Sequence, residues 1–531
     1  MNRVNKNAEP KLSLVDFRPR DRRPLYQQLA EGIATQIRDG ALPRGSKLPP
    51  LREIARVHRV ALVTASQAYE MLSSEGLVES RSGRGTFVTY DLEAVEQARP
   101  PQQAQVDQGR PLQINVGQGQ VDQGRPLQAG LGRASALRVL RSAVRPGSIV
   151  LSTGSTAPET YPIADFAQCY AQTFLDDPPE IHQYRADRGD AELRELFAQR
   201  LRARGADIGR DDILIVSGAQ QALSLVADAL IDSGDAAVAE APTYFSALEV
   251  FDQKRVSWTN ASVDADGVIP ASLRDAVWRS SARIIYLNTA AHNPTGSFLS
   301  RARHRPVLDI ARRAQLTLIE DQSFWPVCFD GEAPPPLIAS DRDGRVVCIE
   351  SMSKLYMPSL RIGYIAAKGE LQQRLYASKL RADAFTTTVS QRALLRFLRS
   401  RAAARHLRAT RVLYRRRRDA LLAHLRPALP NGARALAPRG GVNVWVELPP
   451  DWSAPALLNY SAQEGVLFLT GEPFYPTQAP QNTLRMSYGN LPESVAEEAM
   501  ARFGRAVRAY AASRKRAKRG AAEEAAITAA V

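Results

Sequence analysis

The chain has 531 residues, too many for one ordinary globular domain and enough for three or four. Its 44% of hydrophobic and 24% of charged residues are typical of a folded protein and exclude a chain that is disordered throughout. The net charge of +15 comes almost entirely from arginine, because only nine lysines are present, and it favours a polyanionic partner.

The sequence carries no targeting or disulfide signal. Its first residues lack the apolar core of a signal peptide, and the most apolar long window, residues 213–231, is broken by Gln220, Gln221 and Asp228. The three cysteines have no close pairing, so neither a disulfide framework nor a zinc site is expected. We therefore predict a cytoplasmic protein with no membrane association and no bound metal.

Residues 22–90 are predicted to form a small domain that begins with three helices. Gly40 ends the first helix, a short second helix covers residues 51–58, and a third covers about residues 62–74. A helix, a turn and a helix at this spacing are typical of proteins that lay the last helix in a DNA major groove. The apolar positions are Leu25, Leu29, Ile33 and Ile37 in the first helix and Ala65, Ala68, Tyr69 and Leu72 in the third.

The sequence GLVESRSGRGTFV after the third helix predicts a wing of two strands around a tip rich in glycine and arginine. Arg81 and Arg84 in this wing can reach phosphates or the minor groove. With PLYQQLAEGI, GSKLPPLREIA and AYEMLSSEGLVES, the pattern resembles the winged helix-turn-helix of the GntR family of bacterial regulators. The resemblance implies double-stranded operator DNA as a partner, with phosphate contacts from Arg52 and the wing.

The start of the third helix departs from that family. Where the family usually has Ser-Arg, this chain has Ala61 and Leu62, so a usual arginine contact is missing. Thr64 is kept, and Gln67 is available to read a base edge. A winged helix that contacts only protein is the alternative interpretation.

Residues 91–148 are predicted to be a flexible linker. They are rich in Gln, Gly, Pro and Asp, and QVDQGRPLQ occurs twice, at residues 105–113 and 120–128. Two short polar copies cannot build the core of a solenoid. We therefore interpret the repeat as a duplicated linker segment, which separates two folded parts and keeps them at high effective concentration.

Residues 149–511 are predicted to form a large α/β domain. The apolar runs ILIVSG, AAVAEAPTY, RIIYLN, LTLIED and VVCIES alternate with helical patterns, which indicates a mainly parallel sheet. A smaller C-terminal α+β part completes this domain. Residues 512–531, basic and then rich in alanine, are predicted to be a mobile tail.

Lys354 stands out among the lysines because it directly follows a buried-strand pattern, in IESMSKLYMPSLRIGY. Hydroxyl groups flank it, and Arg361 can bind a phosphate dianion. Asp321 ends another strand 33 residues upstream. Lys254, Lys368 and Lys379 are predicted to have no hydroxyl close by. An amine, a strand-end carboxylate and phosphate donors are the groups that pyridoxal 5′-phosphate requires.

Three further motifs fit the same cofactor. Asn293, in NTAAHNPTG, follows a strand and can donate to a phenolic oxygen. The motif SGAQQAL forms a strand-to-helix junction, where free N–H groups favour an anion. Tyr244, in APTY, is placed to stack on a ring, although such an aromatic residue is more often part of a core.

Together and in this order the motifs resemble the fold-type I aminotransferases. The resemblance implies Lys354 as the lysine that forms a Schiff base with pyridoxal 5′-phosphate and Asp321 as the partner of its pyridine nitrogen. It implies Asn293 at the phenolic oxygen and Tyr244 stacked on the ring. Around the phosphate it implies Gly218, Ala219, Gln220, Ser351, Ser353 and Arg361.

Two more residues carry over, and one position departs. Tyr184, in HQYRADRGDAELREL, matches a tyrosine that reaches the phosphate in the other subunit, and Arg485, in LRMSYGN, matches an arginine that binds a substrate α-carboxylate. Relatives commonly carry a tyrosine two or three residues after the aspartate, where this chain has Ser323 and Phe324. At most weak transaminase activity is expected, because the hydroxyl that tunes the cofactor is missing.

The two halves together resemble the MocR/GabR subfamily of bacterial regulators. The resemblance implies a transcription regulator that senses pyridoxal 5′-phosphate or an amino acid or amine effector, and a head-to-tail homodimer. Two alternatives stay open: an active aminotransferase with a vestigial DNA-binding domain, and a DNA-binding protein whose large domain has lost the cofactor. For the arginine-rich residues 396–418, a solvated helix face or a subunit contact is favoured over contact with nucleic acid.

Overall fold

The structure is a computed structural model that describes residues 15, 17, 24–39, 41–74, 77–81, 85–89, 144–184 and 187–530. The tip of the predicted wing and the predicted linker, apart from residues 144–148, lie outside the described residues. Contacts between Cα atoms divide the chain into two units, Met1–Pro111 and Leu112–Val531.

The first unit contains the predicted helices and wing strands. The helices are Leu25–Arg38 (α1), Leu51–Val57 (α2) and Leu62–Ser74 (α3), and the strands Val78–Arg81 (β1) and Gly85–Val88 (β2) pair antiparallel. All the predicted core positions are buried except Leu25, which begins the first helix and is 49% exposed. The hydroxyl of Tyr69 donates to the carbonyl of Pro49 at 2.7 Å, which fixes the third helix against the loop before the second.

The large unit is built on a mixed sheet with eight strands among the described residues. In chain order the strands of this unit are Ile149–Val150 (β3), Ile213–Val216 (β4), Ala236–Ala241 (β5), Ser257–Asp264 (β6), Gly267–Val268 (β7), Ala282–Asn288 (β8), Thr317–Asp321 (β9), Val346–Ser351 (β10), Gly363–Ala366 (β11), Arg434–Ala435 (β12), Asn443–Glu447 (β13), Val466–Leu467 (β14), Leu469–Thr470 (β15) and Thr483–Ser487 (β16). The spatial order in the large sheet is β4-β11-β10-β9-β8-β5-β6-β7. The strands β5, β6, β8, β9 and β10 run parallel to one another, whereas β11 runs antiparallel to β10 and β4.

Hydrophobic cores lie on both faces of this sheet. Ile213 and Ile215 belong to one core, and Leu214 and Val216, which alternate with them, belong to the other. A strand covered on both faces is mainly apolar on both of them, so it appears in the sequence as a nearly continuous apolar run. The five predicted runs are the strands β4, β5, β8, β9 and β10. The helices of this unit are Ile163–Asp176 (α4), Ala191–Ala203 (α5), Ala219–Leu230 (α6), Phe245–Asp252 (α7), Pro270–Arg279 (α8), Arg301–Arg313 (α9), Gly369–Ala382 (α10), Thr388–Arg399 (α11), Arg401–Ala428 (α12), Ala454–Gln463 (α13) and Glu493–Ala530 (α14).

The smaller C-terminal α+β part is present. Its described sheet has the order β12-β13-β16-β15 and is antiparallel. Helix α14 continues without a break to Ala530 and so includes the residues predicted to form the tail, up to that position. Arg514 binds Asp451, and its guanidinium lies 5.0 Å from the ring centroid of Trp452, contacts that fix the helix beyond residue 511.

The arginine-rich helix α12 is partly internal. Arg417 and Arg418 are buried. Arg417 donates to the carbonyl of Gly489 at 2.6 Å, and Arg418 donates to the carbonyl of Pro438 at 2.8 Å. These two guanidinium groups therefore connect parts of the large unit. No helix within the described residues combines the length and apolar character that crossing a membrane requires.

Candidate functional site

A cavity of about 280 Å³ lies at the carboxyl ends of the parallel strands. Strands β8, β9 and β10 run in the same direction, so the residues that end them meet at this edge of the sheet. The cavity brings together most of the residues that the sequence predicts. Those lining it are Ala219, Gln220, Tyr244, Asn293, Asp321, Ser351, Ser353, Lys354, Arg361 and Arg485.

Lys354 supplies the amine of the cavity. Its Nζ donates to the carbonyl of Gly154 at 3.4 Å and lies 5.9 Å from the ring centroid of Phe324. Burial lowers the pKa of Lys354 to about 8, and the positive charges of Arg485 and Arg361 act in the same direction. At pH 7 roughly a tenth of the amine is unprotonated at such a pKa, so the lysine can act as a nucleophile.

We expect cofactor uptake to depend on this titration. The rate at which apoprotein binds pyridoxal 5′-phosphate covalently should rise about tenfold per pH unit and level off near pH 8, because only the neutral amine of Lys354 reacts. Stopped-flow absorbance across a pH series measures this rate. A rate that keeps rising up to about pH 10.4, the ordinary pKa of lysine, contradicts the prediction.

Asp321 supplies the buried carboxylate at the other side of the cavity. Its Oδ2 accepts from the hydroxyl of Tyr286 at 3.0 Å, and its Oδ1 accepts from the N–H of Ser323 at 2.9 Å. Burial raises the pKa of Asp321, while hydrogen bonds from Ser323, Tyr286 and Asn288 oppose that rise and favour the carboxylate. A cationic partner, such as a protonated pyridine nitrogen, would favour the carboxylate further.

Sequence reasoning missed Tyr286 and Asn288. They stand two residues apart in β8, directly beside β9, and therefore share one face of the sheet with each other. Two polar residues at alternate positions of an otherwise mainly apolar strand could have indicated that this strand contributes to the site. The backbone N–H of Asn293 donates to Asn288 Oδ1 at 2.8 Å, so Asn288 also positions the loop that carries Asn293.

The predicted phosphate donors lie around the start of helix α6. Gly218 caps this helix with a φ of +89°, and a Cβ there would meet Arg361 Nη2 at 3.1 Å, so glycine is required. Gly218 lies next to Arg361, but it is not among the residues that line the cavity. Arg361 Nη2 donates to the carbonyl of Ser217 at 2.7 Å, and Ser353 Oγ is buried without a hydrogen-bond partner. Helix-end amides, a guanidinium and an unpaired hydroxyl form a donor set suited to a phosphate dianion.

Arg485 is buried in the cavity wall without an ion pair to any described carboxylate. Its Nη1 donates to Asn293 Oδ1 at 3.1 Å, its Nη2 donates to the carbonyl of Ser152 at 2.5 Å, and its Nε has no partner. The guanidinium lies 5.0 Å from the ring centroid of Phe474. Burial lowers the pKa of Arg485 to about 10, which shows how poorly the surroundings compensate its charge.

Two aromatic residues of the prediction occupy different places. Tyr244 lines the cavity, next to the ring of Phe245 at 5.7 Å between centroids. Tyr184 is 95% exposed and does not line the cavity of its own chain; its ring contacts Phe385 edge-on at 6.1 Å. Its predicted reach into another subunit stays a prediction, and so does the stacking of Tyr244.

One expectation about the lysines is wrong. The sequence predicts no hydroxyl close to Lys379, but its Nζ donates to Thr386 Oγ1 at 3.0 Å. The prediction fails because the turn after helix α10 brings Thr386 back toward the lysine, and sequence spacing alone does not show that turn. Among the described residues no cluster of His, Cys, Asp or Glu is arranged to hold a metal ion.

The residues of this cavity fit pyridoxal 5′-phosphate. The amine of Lys354, the carboxylate of Asp321 and the predicted phosphate donors other than Gly218 line one cavity. The buried hydroxyl of Ser353 and the uncompensated charge of Arg485 both lack partners that a phosphorylated, carboxylate-bearing ligand would provide. The chemistry of the donor set therefore agrees with the cofactor.

The predicted DNA-contact residues lie in the first unit. Arg52 is exposed on α2, Gln67 is exposed on α3, and Thr64 is half-buried one turn before it. The side chain of Arg81 and all of Arg84 lie outside the described residues. The first turn of α3 also presents Leu62 and Val63, which are 49% and 66% exposed.

Comparison with known proteins gives a consistent picture. Residues 149–503 match the aminotransferase class I and II family, and residues 25–88 match the gntR family of bacterial regulatory proteins. The uncharacterized HTH-type transcriptional regulator YdfD of Bacillus subtilis is 29% identical over 468 residues, which are 88% of this chain and 92% of that protein. The 2-aminoadipate transaminase of Thermus thermophilus is 30% identical over 380 residues, which are 71% of this chain and 94% of that protein.

Among solved structures, the α-aminoadipate aminotransferase of Thermus thermophilus, in complex with N-(5′-phosphopyridoxyl)-L-leucine, has a TM-score of 0.66. It is 29% identical and covers 72% of this chain and 97% of its own. The regulator match spans more of this chain than the aminotransferase matches do.

Proposed function

The chain belongs to the aminotransferase class I and II family and carries a gntR-family DNA-binding domain before it, and on this premise we propose a transcription regulator that responds to an amino acid or amine. The observation that carries the effector half of the proposal is Arg485, a buried guanidinium without an ion pair to any described carboxylate, in the same cavity as Lys354. A buried cation of this kind is a receptor for a carboxylate.

Pyridoxal 5′-phosphate is the cofactor of this family, and it supplies an aldehyde that combines with amines and a ring that withdraws electrons. In our proposal Lys354 holds the aldehyde carbon, Asp321 faces the ring nitrogen and Tyr244 covers the ring. Asn293 donates to the phenolic oxygen from Nδ2, because its Oδ1 accepts from Arg485 and Asn443. The phosphate group is assigned to Gly218, Ala219, Gln220, Ser351, Ser353 and Arg361.

The effector site is occupied by the chain's own backbone. Arg485 donates to the carbonyl of Ser152, and Lys354 donates to the carbonyl of Gly154. The α-carboxylate of an effector would bind Arg485 and so replace the carbonyl of Ser152, while its amine would combine with the cofactor aldehyde in place of Lys354. Gly154 has a φ of +59°, and a Cβ there would meet Arg485 Nη2 at 3.3 Å, so this close approach favours glycine.

This competition links the cavity to the linker. Ser152 and Gly154 follow strand β3, Ile149–Val150, which is the first strand after the predicted linker. Displacement of the segment 152–154 therefore changes the chain at the point where the linker enters the large unit. A ligand that favours one arrangement of this segment shifts the equilibrium between two states of the regulator.

An active aminotransferase is the second candidate, favoured by the near-complete cofactor site and by a 30% identical transaminase. Phe324 counts against efficient turnover, because it lines the cavity 5.9 Å from Lys354 Nζ without a hydroxyl. Single-turnover and steady-state assays with amino acids and keto acids separate the two: repeated turnover favours the enzyme, and one half-reaction or none favours the regulator.

The DNA-binding half is proposed to be functional. Arg52 and Gln67 are exposed on the helices that dock on DNA in this fold. Leu62 and Val63 are exposed apolar side chains at the start of α3, and the core of the domain does not use them. Apolar groups at this position can contact thymine methyl groups in place of the missing arginine contact.

We expect the two exposed DNA-facing residues to act differently. Arg52→Ala should weaken binding about equally on specific and unrelated DNA, because it removes one phosphate contact. The slope of the logarithm of the binding constant against the logarithm of the salt concentration should become less steep by about one. Gln67→Ala should cost roughly 1–3 kcal/mol on the operator alone and relax one base preference. Fluorescence anisotropy across a salt series measures both, and unchanged binding in both variants contradicts the docking arrangement.

Tyr184 supports a dimer in the proposal, because its exposed ring is available to a second copy of the chain. We propose a head-to-tail homodimer that acts on DNA in the cytoplasm. Footprinting on the DNA upstream of its own gene, with and without amino acids and amines, tests the proposed function as a whole. A footprint that no such compound alters contradicts the sensing role.

A further inference from the structure

The ammonium group of Lys379 is buried and donates to Gln221 in helix α6, the helix whose start carries the proposed phosphate donors. Lys379 lies on helix α10, and its side chain is 1% exposed. Its three donors have three acceptors: Asp383 Oδ1, Thr386 Oγ1 at 3.0 Å and Gln221 Oε1 at 3.2 Å. Every donor of the buried cation is therefore used, and one acceptor belongs to helix α6, 158 residues away in the chain.

Gln221 passes this arrangement on to the junction before helix α6. Its Oε1 also accepts from the backbone N–H of Ser217 at 2.7 Å, and its Nε2 donates to Asp383 Oδ2 at 2.7 Å. A lysine only donates and a carboxylate only accepts, so the amide of Gln221 can take a single orientation. That orientation presents its oxygen to the N–H of Ser217.

The backbone at Ser217 is thus held from two sides. Its N–H is fixed by Gln221, and its carbonyl accepts from Arg361 Nη2 at 2.7 Å. The next residues, Gly218 to Gln220, carry the amides that we assign to the phosphate. A rotation of the Ser217 backbone would turn the amide of Gly218, which directly follows it, and would shift those of Ala219 and Gln220 next in the chain.

We propose that Lys379 is a positioning residue for the phosphate of the cofactor, acting through Gln221 on the amides at the start of helix α6. The inference rests on the proposed cofactor site. Lys379 itself does not line the cavity, so it acts without touching the ligand. An uncharged side chain cannot replace it, because Asp383, Thr386 and Gln221 would each lose a donor.

The test compares two ligands that differ only in the phosphate. Apoprotein is titrated with pyridoxal 5′-phosphate and with pyridoxal, which has the same ring and aldehyde. For Lys379→Met and Gln221→Met, the preference for the phosphorylated ligand should fall about tenfold, since each variant removes hydrogen bonds that fix the junction. Lys368→Met is the matched control, because Lys368 pairs with Asp207 at 2.6 Å on the surface and should keep the full preference.

The double variant adds a second readout. If Lys379 and Gln221 act through one network, Lys379→Met combined with Gln221→Met should lower the preference no further than either change alone. Gln221→Met keeps the test decisive even if Lys379→Met does not fold. Equal losses of affinity for both ligands, or an unchanged preference, would overturn the positioning role. A wild-type protein without any preference for the phosphorylated ligand would instead overturn the proposed cofactor site, and this role with it.

Discussion

Replacing Lys354 with alanine is expected to abolish covalent retention of pyridoxal 5′-phosphate while the protein stays folded. Lys354 is the lysine that lines the cavity, and its pKa of about 8 makes its amine reactive. Its hydrogen bond to the carbonyl of Gly154 is long at 3.4 Å, so no strongly bonded partner is lost on truncation. We expect complete loss of cofactor attachment and little change in the free energy of unfolding.

Borohydride reduction followed by peptide mass spectrometry measures the attachment, and thermal unfolding measures the stability. Lys368→Ala is the control, since Lys368 pairs with Asp207 outside the cavity and should leave the labelling complete. Stoichiometric attachment to a different lysine in the Lys354→Ala protein would refute the assignment.

The second large effect is expected at Arg485. Arg485→Met should leave cofactor attachment intact and lower the affinity for an effector with an α-carboxylate about 100-fold, or roughly 3 kcal/mol. Because Arg485 is a buried cation without a described ion pair, its replacement by an apolar side chain of similar length should maintain or raise the melting temperature of the free protein.

Arg417 provides the matched comparison for that stability effect. It is also a buried arginine, but it pairs with Glu159 and donates to the carbonyl of Gly489. Arg417→Met should therefore destabilise the protein by roughly 1–3 kcal/mol, since it leaves the buried carbonyl of Gly489 without its donor and removes an ion pair whose acidic partner, Glu159, is 55% exposed. Equal destabilisation by the two changes would mean that Arg485 is a structural residue and not a carboxylate receptor.

Operator DNA completes the second prediction. If effector and DNA act on one equilibrium, operator DNA must change the effector affinity of the wild-type protein by the same factor as the effector changes DNA affinity. Calorimetric titration of the effector with and without operator measures that factor. Arg485→Met should remove the coupling while basal DNA binding persists. Effector affinity that is identical with and without operator in the wild type would favour the enzyme.

The fold could be predicted from the sequence where burial is complete. The strands β4, β5, β8, β9 and β10 are mainly apolar because cores cover both faces of the sheet. Strand β6, SWTNASVD, was not predicted, since it is only partly buried and carries polar residues. Strand β11 was missed because it has four residues and begins at a glycine.

The cavity could be predicted in part, for a related reason. Lys354, Asp321 and Arg361 lie in local motifs whose chemistry is visible in a few consecutive residues. Contacts made across the fold leave no such local pattern. The approach of Ser152 to Arg485 joins positions 333 residues apart, and the reach of Lys379 to Gln221 spans 158.

The backbone carbonyl at Arg485 has a consequence for the effector concentration to which the proposed regulator would respond. The carboxylate of an effector would have to compete with the carbonyl of Ser152, which is tethered to the site and whose local concentration does not fall on dilution. The apparent association constant would then equal the intrinsic one multiplied by the fraction of molecules in which Ser152 has already left Arg485. The threshold of the proposed regulator would therefore depend on how firmly its own chain occupies the site. Substitutions near Gly154 would retune that threshold without altering which compound is recognised.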